Sequence, residues 1–217
     1  MRIKHGRVTL ELHELARRRE GLPLLLLHGL YGSSADWGEA PGSWPGPVLA
    51  LDFAGHGHSE SIAGGAYYPE LLVGDADSAL AHIGRLVLAG AGVGAYVALL
   101  LAGARPDAVP AALLLPGAGL AGGGAVPDFQ REFPHPEFVT RQPGMSDPLV
   151  SVLESDVRPV DYGESFACAA RRLLLVEDGE SCPPWWEATR HSPTAETVTA
   201  DLPTAFARLS IVTRSDD

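Results

Sequence analysis

The feature that most limits how this chain can fold is a set of short, wholly apolar runs, each cut off by glycine or proline. "LPLLLLHG" is bounded by Pro23 and Gly29, "PVLALDFAG" stops being apolar at Asp52, and "AALLLPG" ends in Pro116 and Gly117. A strand with one wet face alternates apolar and polar residues; these runs do not alternate, so both of their faces must be buried. Between them lie segments of helical length. Pro69 to Ile83 starts with proline in its first turn and carries an acidic "DAD" expected to face water. Val93 to Ala104 is rich in Ala and Leu, as suits a helix lying against a sheet. The stretch "RLVLAGAGVGAYVALLLAG" joins Leu86–Ala89, a strand, to that helix through a tight glycine turn. Such alternation predicts an α/β fold: a mostly parallel sheet with helices on both faces.

Val8 to Leu15 alternates loosely and is expected to be an early strand. "RRLLLVED" and "AETVTA" are expected as late strands, and "LPTAFARLS" as a short closing helix. From residue 120 to about 170 the pattern breaks into "GGGAVPDF", "FPHPEF" and "RQPGMSDP". Turn-rich and proline-rich sequence inside an alternating pattern predicts an inserted lid. The expected organisation is one domain: core over residues 1–119, lid over 120–170, core again over 171–217.

A net charge of −11 opposes binding to nucleic-acid phosphates or an anionic membrane surface, so neither is an expected partner. "MRIKHGRVTLELHELARRRE" is too charged for a signal peptide, and no apolar stretch reaches the ~18 residues needed to span a bilayer. With only Cys168 and Cys182, a cytoplasmic location with reduced thiols is expected.

Three segments taken in order, "LLLLHGLYGSSADW", "LALDFAGHGHSE" and "LVLAGAGVGAYVAL", resemble the α/β-hydrolase fold. The nearest flavour is the compact group that includes proline iminopeptidases, haloperoxidase-like esterases and the menaquinone-pathway enzyme that eliminates pyruvate. The resemblance implies a G-x-S-x-G elbow after the third strand, with a serine on a sharp strand-to-helix turn. Here that register holds Gly90, Ala91, Gly92, Val93 and Gly94, so Gly92 stands where the nucleophile would be. The elbow conformation costs a residue with a Cβ on the order of 1–3 kcal/mol, whereas glycine adopts it freely, so loss of the serine is expected to relax the turn.

The resemblance also places an acid after the strand "RRLLLVED", where Glu177, Asp178 and Glu180 stand; Asp178 and Glu180 are the candidates. It places a histidine shortly before the last helix, yet "TAETVTADLP" contains none, and His191, which lies earlier, is a displaced candidate base. Without an imidazole a serine would be a weak nucleophile. The implied oxyanion hole consists of backbone N–H groups of Leu30 and Val93, with His28 and Gly29 leading into the first of them. A helix N-terminus approached closely through glycine attracts anions whether or not chemistry follows.

Other patterns compete. "GAGVGA" fits the dinucleotide fingerprint, but it does not sit in the first strand–helix unit and no acid ends the next strand. His56 and His58 form H-x-H without a second cluster to complete a metal site, so structural roles are expected and no metal or cofactor is assigned. Asp52, at a strand end, is expected to anchor its turn. Ser33, Ser34 and Ser59 are expected to cap turns rather than to attack, and Cys168 to be a small core residue. Trp37, Trp44, Trp185 and Trp186 fit equally a pocket lining or core packing.

Two functions fit this reading. One is a hydrolase homologue without Ser-His-Asp chemistry, which binds a small, partly apolar, ester- or carboxylate-bearing ligand beneath the lid; a protein partner is also compatible. The other is a serine-independent enzyme, in which the backbone oxyanion hole stabilises an enolate and Asp178, Glu180 or a pocket histidine moves a proton.

Overall fold

The computed structural model describes residues 1–62, 66–117, 119, 146–154, 158–177, 179 and 182–214. Arg2–His5 (β1) and Val8–Ala16 (β2) form an antiparallel hairpin, and β2 pairs antiparallel with Val48–Asp52 (β4). Leu24–Leu27 (β3) lies between β4 and Val87–Ala91 (β5), parallel to both. Ala112–Leu115 (β6), Leu173–Val176 (β7) and Ala195–Val198 (β8) continue the sheet in parallel, giving the order β1-β2-β4-β3-β5-β6-β7-β8. The apolar runs are the central strands, as their lack of alternation requires.

Because successive side chains on a strand point to opposite faces, β3 feeds two cores at once. Leu25 and Leu27 join the larger core, with Pro69–Ile83 (α1), Val93–Ala104 (α2), Val160–Ala169 (α3) and Pro184–Arg190 (α4). Leu24 and Leu26 face the smaller one, with Trp37, Trp44 and the Phe206 and Leu209 side chains of Leu202–Arg214 (α5). All four leucines are fully buried, and each contributes roughly 1.5–3 kcal/mol of hydrophobic stabilisation. The tryptophans are divided in the same way. Trp37 packs edge-on against Phe206 and Trp44 donates Nε1–H to Leu22 O at 2.9 Å, while Trp185 meets Tyr96 across the other face.

The structure departs from the sequence reading in several places. The hairpin strand β1 and the helix α4 were not anticipated; both are too short to show a period. The acidic run of α1 does not face water as a unit. Asp75 is buried, with Oδ1 2.7 Å from His5 Nδ1 and Oδ2 accepting the Ala54 N–H at 2.9 Å, whereas Asp77 forms an exposed ion pair with Arg105. Helical geometry turns positions 75 and 77 about 200° apart, which puts one on the core side. Helix α3 falls inside the stretch expected as a lid and packs against α2 and α4. Most of the remaining lid, residues 120–145, lies outside the described residues. Cys168 is exposed on α3 rather than in the core.

The start of α2 lies backbone against backbone on the strands beneath it. A Cβ on Gly94 would stand 2.2 Å from Leu27 O, and one on Gly90 would stand 2.1 Å from Gly94 O. Gly94→Ala is therefore expected to lower the unfolding free energy by about 1–3 kcal/mol or more, because backbone carbonyls cannot move aside as a side chain can. Gly42→Ala, whose Cβ would meet nothing within 4 Å, is expected to stay within about 0.5 kcal/mol of the parent in urea titrations of the two variants.

Candidate functional site

Strands β4, β3 and β5 run parallel as neighbours, so their carboxyl ends bring His28, Asp52 and Gly92 to one edge of the sheet. Ligands of open α/β sheets bind outside this edge. At the end of β5 the chain turns into α2 through Gly92, which has φ 55° and ψ −119°. The Gly92 N–H donates to Leu115 O at 3.0 Å, and its carbonyl accepts from Ala95 N–H at 3.0 Å and Tyr96 N–H at 3.2 Å. The sharp turn expected of a nucleophile elbow is thus kept in full. Glycine at position 92 takes this shape without strain, since it occupies a positive φ without a Cβ clash.

Leu30 and Val93 come together at this turn. They flank Gly119, where an added Cβ would lie 2.9 Å from Val93 Cβ and 3.0 Å from Leu30 Cβ. Among the described residues, no acceptor takes the backbone N–H of either Leu30 or Val93. Tyr31, next in the loop, has φ 63°, the one positive φ outside glycine among the described residues. That conformation costs on the order of 1–3 kcal/mol and persists only where the surrounding structure holds it in place. The Tyr31 hydroxyl donates to Glu154 Oε1 at 2.5 Å, tying the loop to the turn over 148–154.

His28 organises this loop from beneath. Its Nδ1 is 2.7 Å from Gly29 O and its Nε2 is 3.2 Å from the Phe53 amide, so Nδ1 carries the proton and Nε2 accepts. With both nitrogens engaged, and the ring packed 4.9 Å from those of Phe53 and His56, it has no lone pair to offer a substrate. Burial pushes its pKa below the ordinary imidazole value, an effect only partly opposed by the Gly29 carbonyl and by Asp52 and Asp36.

Asp52 anchors its turn, as its place at a strand end suggested. Oδ1 accepts the Ser34 N–H at 2.7 Å; Oδ2 accepts the His58 N–H at 2.8 Å and lies 3.0 Å from His13 Nε2. Burial alone would raise its pKa, but the His58 and Ser34 amides, with the Ser34 and His13 side chains, bring it below the usual carboxylate value. Of the serines expected to cap turns, Ser33 does so, whereas the Ser59 hydroxyl ties β2 to the end of β4. Ser33 Oγ accepts the Ala35 N–H at 3.3 Å at the start of a helical turn, and Ser59 Oγ accepts the Glu11 N–H at 2.8 Å and donates to Asp52 O.

The remaining candidates separate. Asp178 and Glu180 lie outside the described residues, while Glu177 Oε1 is 3.2 Å from an Arg190 guanidinium nitrogen. His191 sits exposed at the end of α4 with Nδ1 2.7 Å from Glu187 O. In the β8–α5 connection, where the resemblance places a histidine, Asp201 Oδ1 instead accepts the Thr204 N–H at 3.0 Å and caps α5. Two groups escaped the sequence reading. Tyr31 gives no sign in sequence of its positive φ, and His13 lies on a strand 39 positions from the aspartate it meets.

The model of the Alpha/beta hydrolase family matches residues 24–216. No curated protein matches the chain. Among solved structures, the thioesterase domain from the curacin biosynthetic pathway is similar at 18% identity and a TM-score of 0.70, with 98% of each chain covered. Est1E from Butyrivibrio proteoclasticus, solved with ferulic acid bound, is similar at 16% identity and a TM-score of 0.68, over 99% of this chain and 98% of that one. The bottromycin epimerase BotH, solved with bottromycin A2, is similar at 19% identity and a TM-score of 0.63, over 99% and 97%. At these identities the likeness is one of fold. Among the described residues, no helix is long and apolar enough to cross a membrane.

A buried neutral His28 has a consequence for stability. Below pH 6.5 the unfolded chain protonates this imidazole more readily than the folded one, so its contribution is present above that pH and is lost on acidification. Comparing the parent with His28→Gln by urea unfolding from pH 7 to 5, the parent is expected to lose up to about 1.4 kcal/mol more per pH unit. Equal slopes would show that His28 is protonated in the fold.

Proposed function

The chain belongs to the alpha/beta hydrolase family, and from that premise we propose that it binds a small ester- or carboxylate-bearing molecule at the elbow without hydrolysing it through a serine. The observation that carries this reading is Gly92 itself: the turn has the shape of a nucleophile elbow and presents no side chain. Two further features support it. The connection before α5 carries the cap Asp201 in place of a base, and His28 has both ring nitrogens engaged. The Leu30 and Val93 N–H groups, one of them opening α2, form a setting for a carboxylate or a carbonyl oxygen. Binding energy from such donors does not depend on a nucleophile.

One observation favours a second reading. A fold neighbour is the bottromycin epimerase BotH, and an epimerisation exchanges configuration without hydrolysis. On this chain the same N–H pair would stabilise an enolate while a separate base moved the proton. The two readings differ in whether a bound ligand changes.

The test is intact-mass spectrometry after exposure to a broad fluorophosphonate, together with thermal shifts across a panel of small esters and carboxylates. No adduct is expected under conditions that saturate a control serine esterase, and a bound carboxylate is expected to raise the melting temperature and be recovered intact. Gly92→Ser is expected to leave p-nitrophenyl acetate hydrolysis at background, since a serine without an imidazole remains a weak nucleophile. An adduct mapped to Ser33, Ser34 or Ser59, or robust esterase activity in Gly92→Ser, would overturn the reading. Exchange of a ligand C–H with solvent deuterium would favour the enolate alternative.

A further inference from the structure

Two strands away from the elbow, the fold brings together a group of side chains that ligand binding at Gly92 does not use. We propose that His13, Asp52 and His58 form a binding site for a divalent zinc ion. Asp52 Oδ2 lies 3.0 Å from His13 Nε2 and 3.5 Å from His58 Nδ1, and the three atoms all fall within 4.8 Å of one another. Zinc bonds of about 2.0–2.1 Å in a tetrahedral arrangement place ligand atoms roughly 3.3–3.4 Å apart, close to the two shorter separations found here. The rings stand 5.7 Å apart at 60°, converging on one oxygen rather than stacking. Two imidazoles and one carboxylate with a position left for water are donors that suit zinc.

The carboxylate is already fixed without the imidazoles. The Ser34 amide holds Oδ1 at 2.7 Å and the His58 amide holds Oδ2 at 2.8 Å, so the histidine side chains are not needed to orient it. Backbone donors that position a ligating carboxylate are the usual surroundings of a metal ligand. The site is also open. The His58 side chain is 63% exposed and that of His13 30%, over a carboxylate with no exposure of its own. Zinc would replace the contact between His13 Nε2 and Oδ2 with two metal bonds, the His13 proton residing on Nδ1. Bound there, it would fasten β2 to the loop after β4. Since β3 separates β4 from β5, the ion would stand about 10 Å or more from the elbow, too far to touch a ligand atom held by Val93 N–H.

The test uses the full chain with any affinity tag removed, stripped with a chelator and titrated with zinc chloride against a chromophoric competitor. Cobalt(II) serves as a visible-absorption probe of geometry. One equivalent of zinc is expected to bind and raise the melting temperature, and cobalt to give the intense d–d bands of a four-coordinate site. His13→Gln and His58→Gln are each expected to weaken binding about 100-fold or more, while His82→Gln, exposed on α1, leaves it unchanged. Circular dichroism establishes that each variant is folded, and His58, the more exposed ligand, keeps the test valid if the His13 variant is not. Failure to retain zinc, or parental affinity in both variants, would overturn the assignment. Neither result bears on whether Gly92 lies in a binding site.

Discussion

The seating of α2 on the central strands sets the positions of most other parts of the molecule. Gly94 lets the helix come so close to β3 that a single Cβ would reach the carbonyl oxygens of Leu27 and His28, and Gly90 lets the strand pass under the helix at the same point. Backbone packed against backbone leaves no side chain to absorb an error, so the direction in which β5 turns into α2 is tightly determined. The positive φ of Gly92 follows from that turn, and the first N–H groups of the helix are aimed at the sheet edge as a result.

These contacts also define what position 92 itself has to satisfy. Flanking glycines are required by packing and would be kept whether or not the residue between them reacts. The central residue is required only to tolerate φ 55°, which glycine does better than any residue with a side chain. The same independence holds nearby. His28, Ser59 and Asp52 are occupied in holding two loops to strand ends, and that work continues without any reaction at the elbow.

Buried polar groups at this edge are almost all tied to backbone. Asp52 receives two amides, Asp75 receives the Ala54 amide, and His28 bridges a carbonyl and an amide. A buried polar group left without partners is costly, so each of these side chains fixes a loop in one place as the condition of its own burial. His13 and His58 differ in lying near a carboxylate that is already held, which is why the same edge has room for a second kind of chemistry.

Sequence alone determined the class of fold, because runs such as Leu24–Leu27 without alternation have to be buried on both faces and segments such as Val93–Ala104 are long enough to cover them. It also determined that position 92 carries no nucleophile and that the stretch before α5 carries no histidine, since both are matters of residue identity in a register set by local pattern. Tertiary structure alone decided the rest. Whether Asp75 faced water or the core depended on where β1 and the loop after β4 came to lie, and the strain at Tyr31 depended on a loop whose course no local propensity encodes. The meeting of His13 with Asp52 and His58 arose from the pairing of β2 with β4, a contact between distant residues that only chain closure creates.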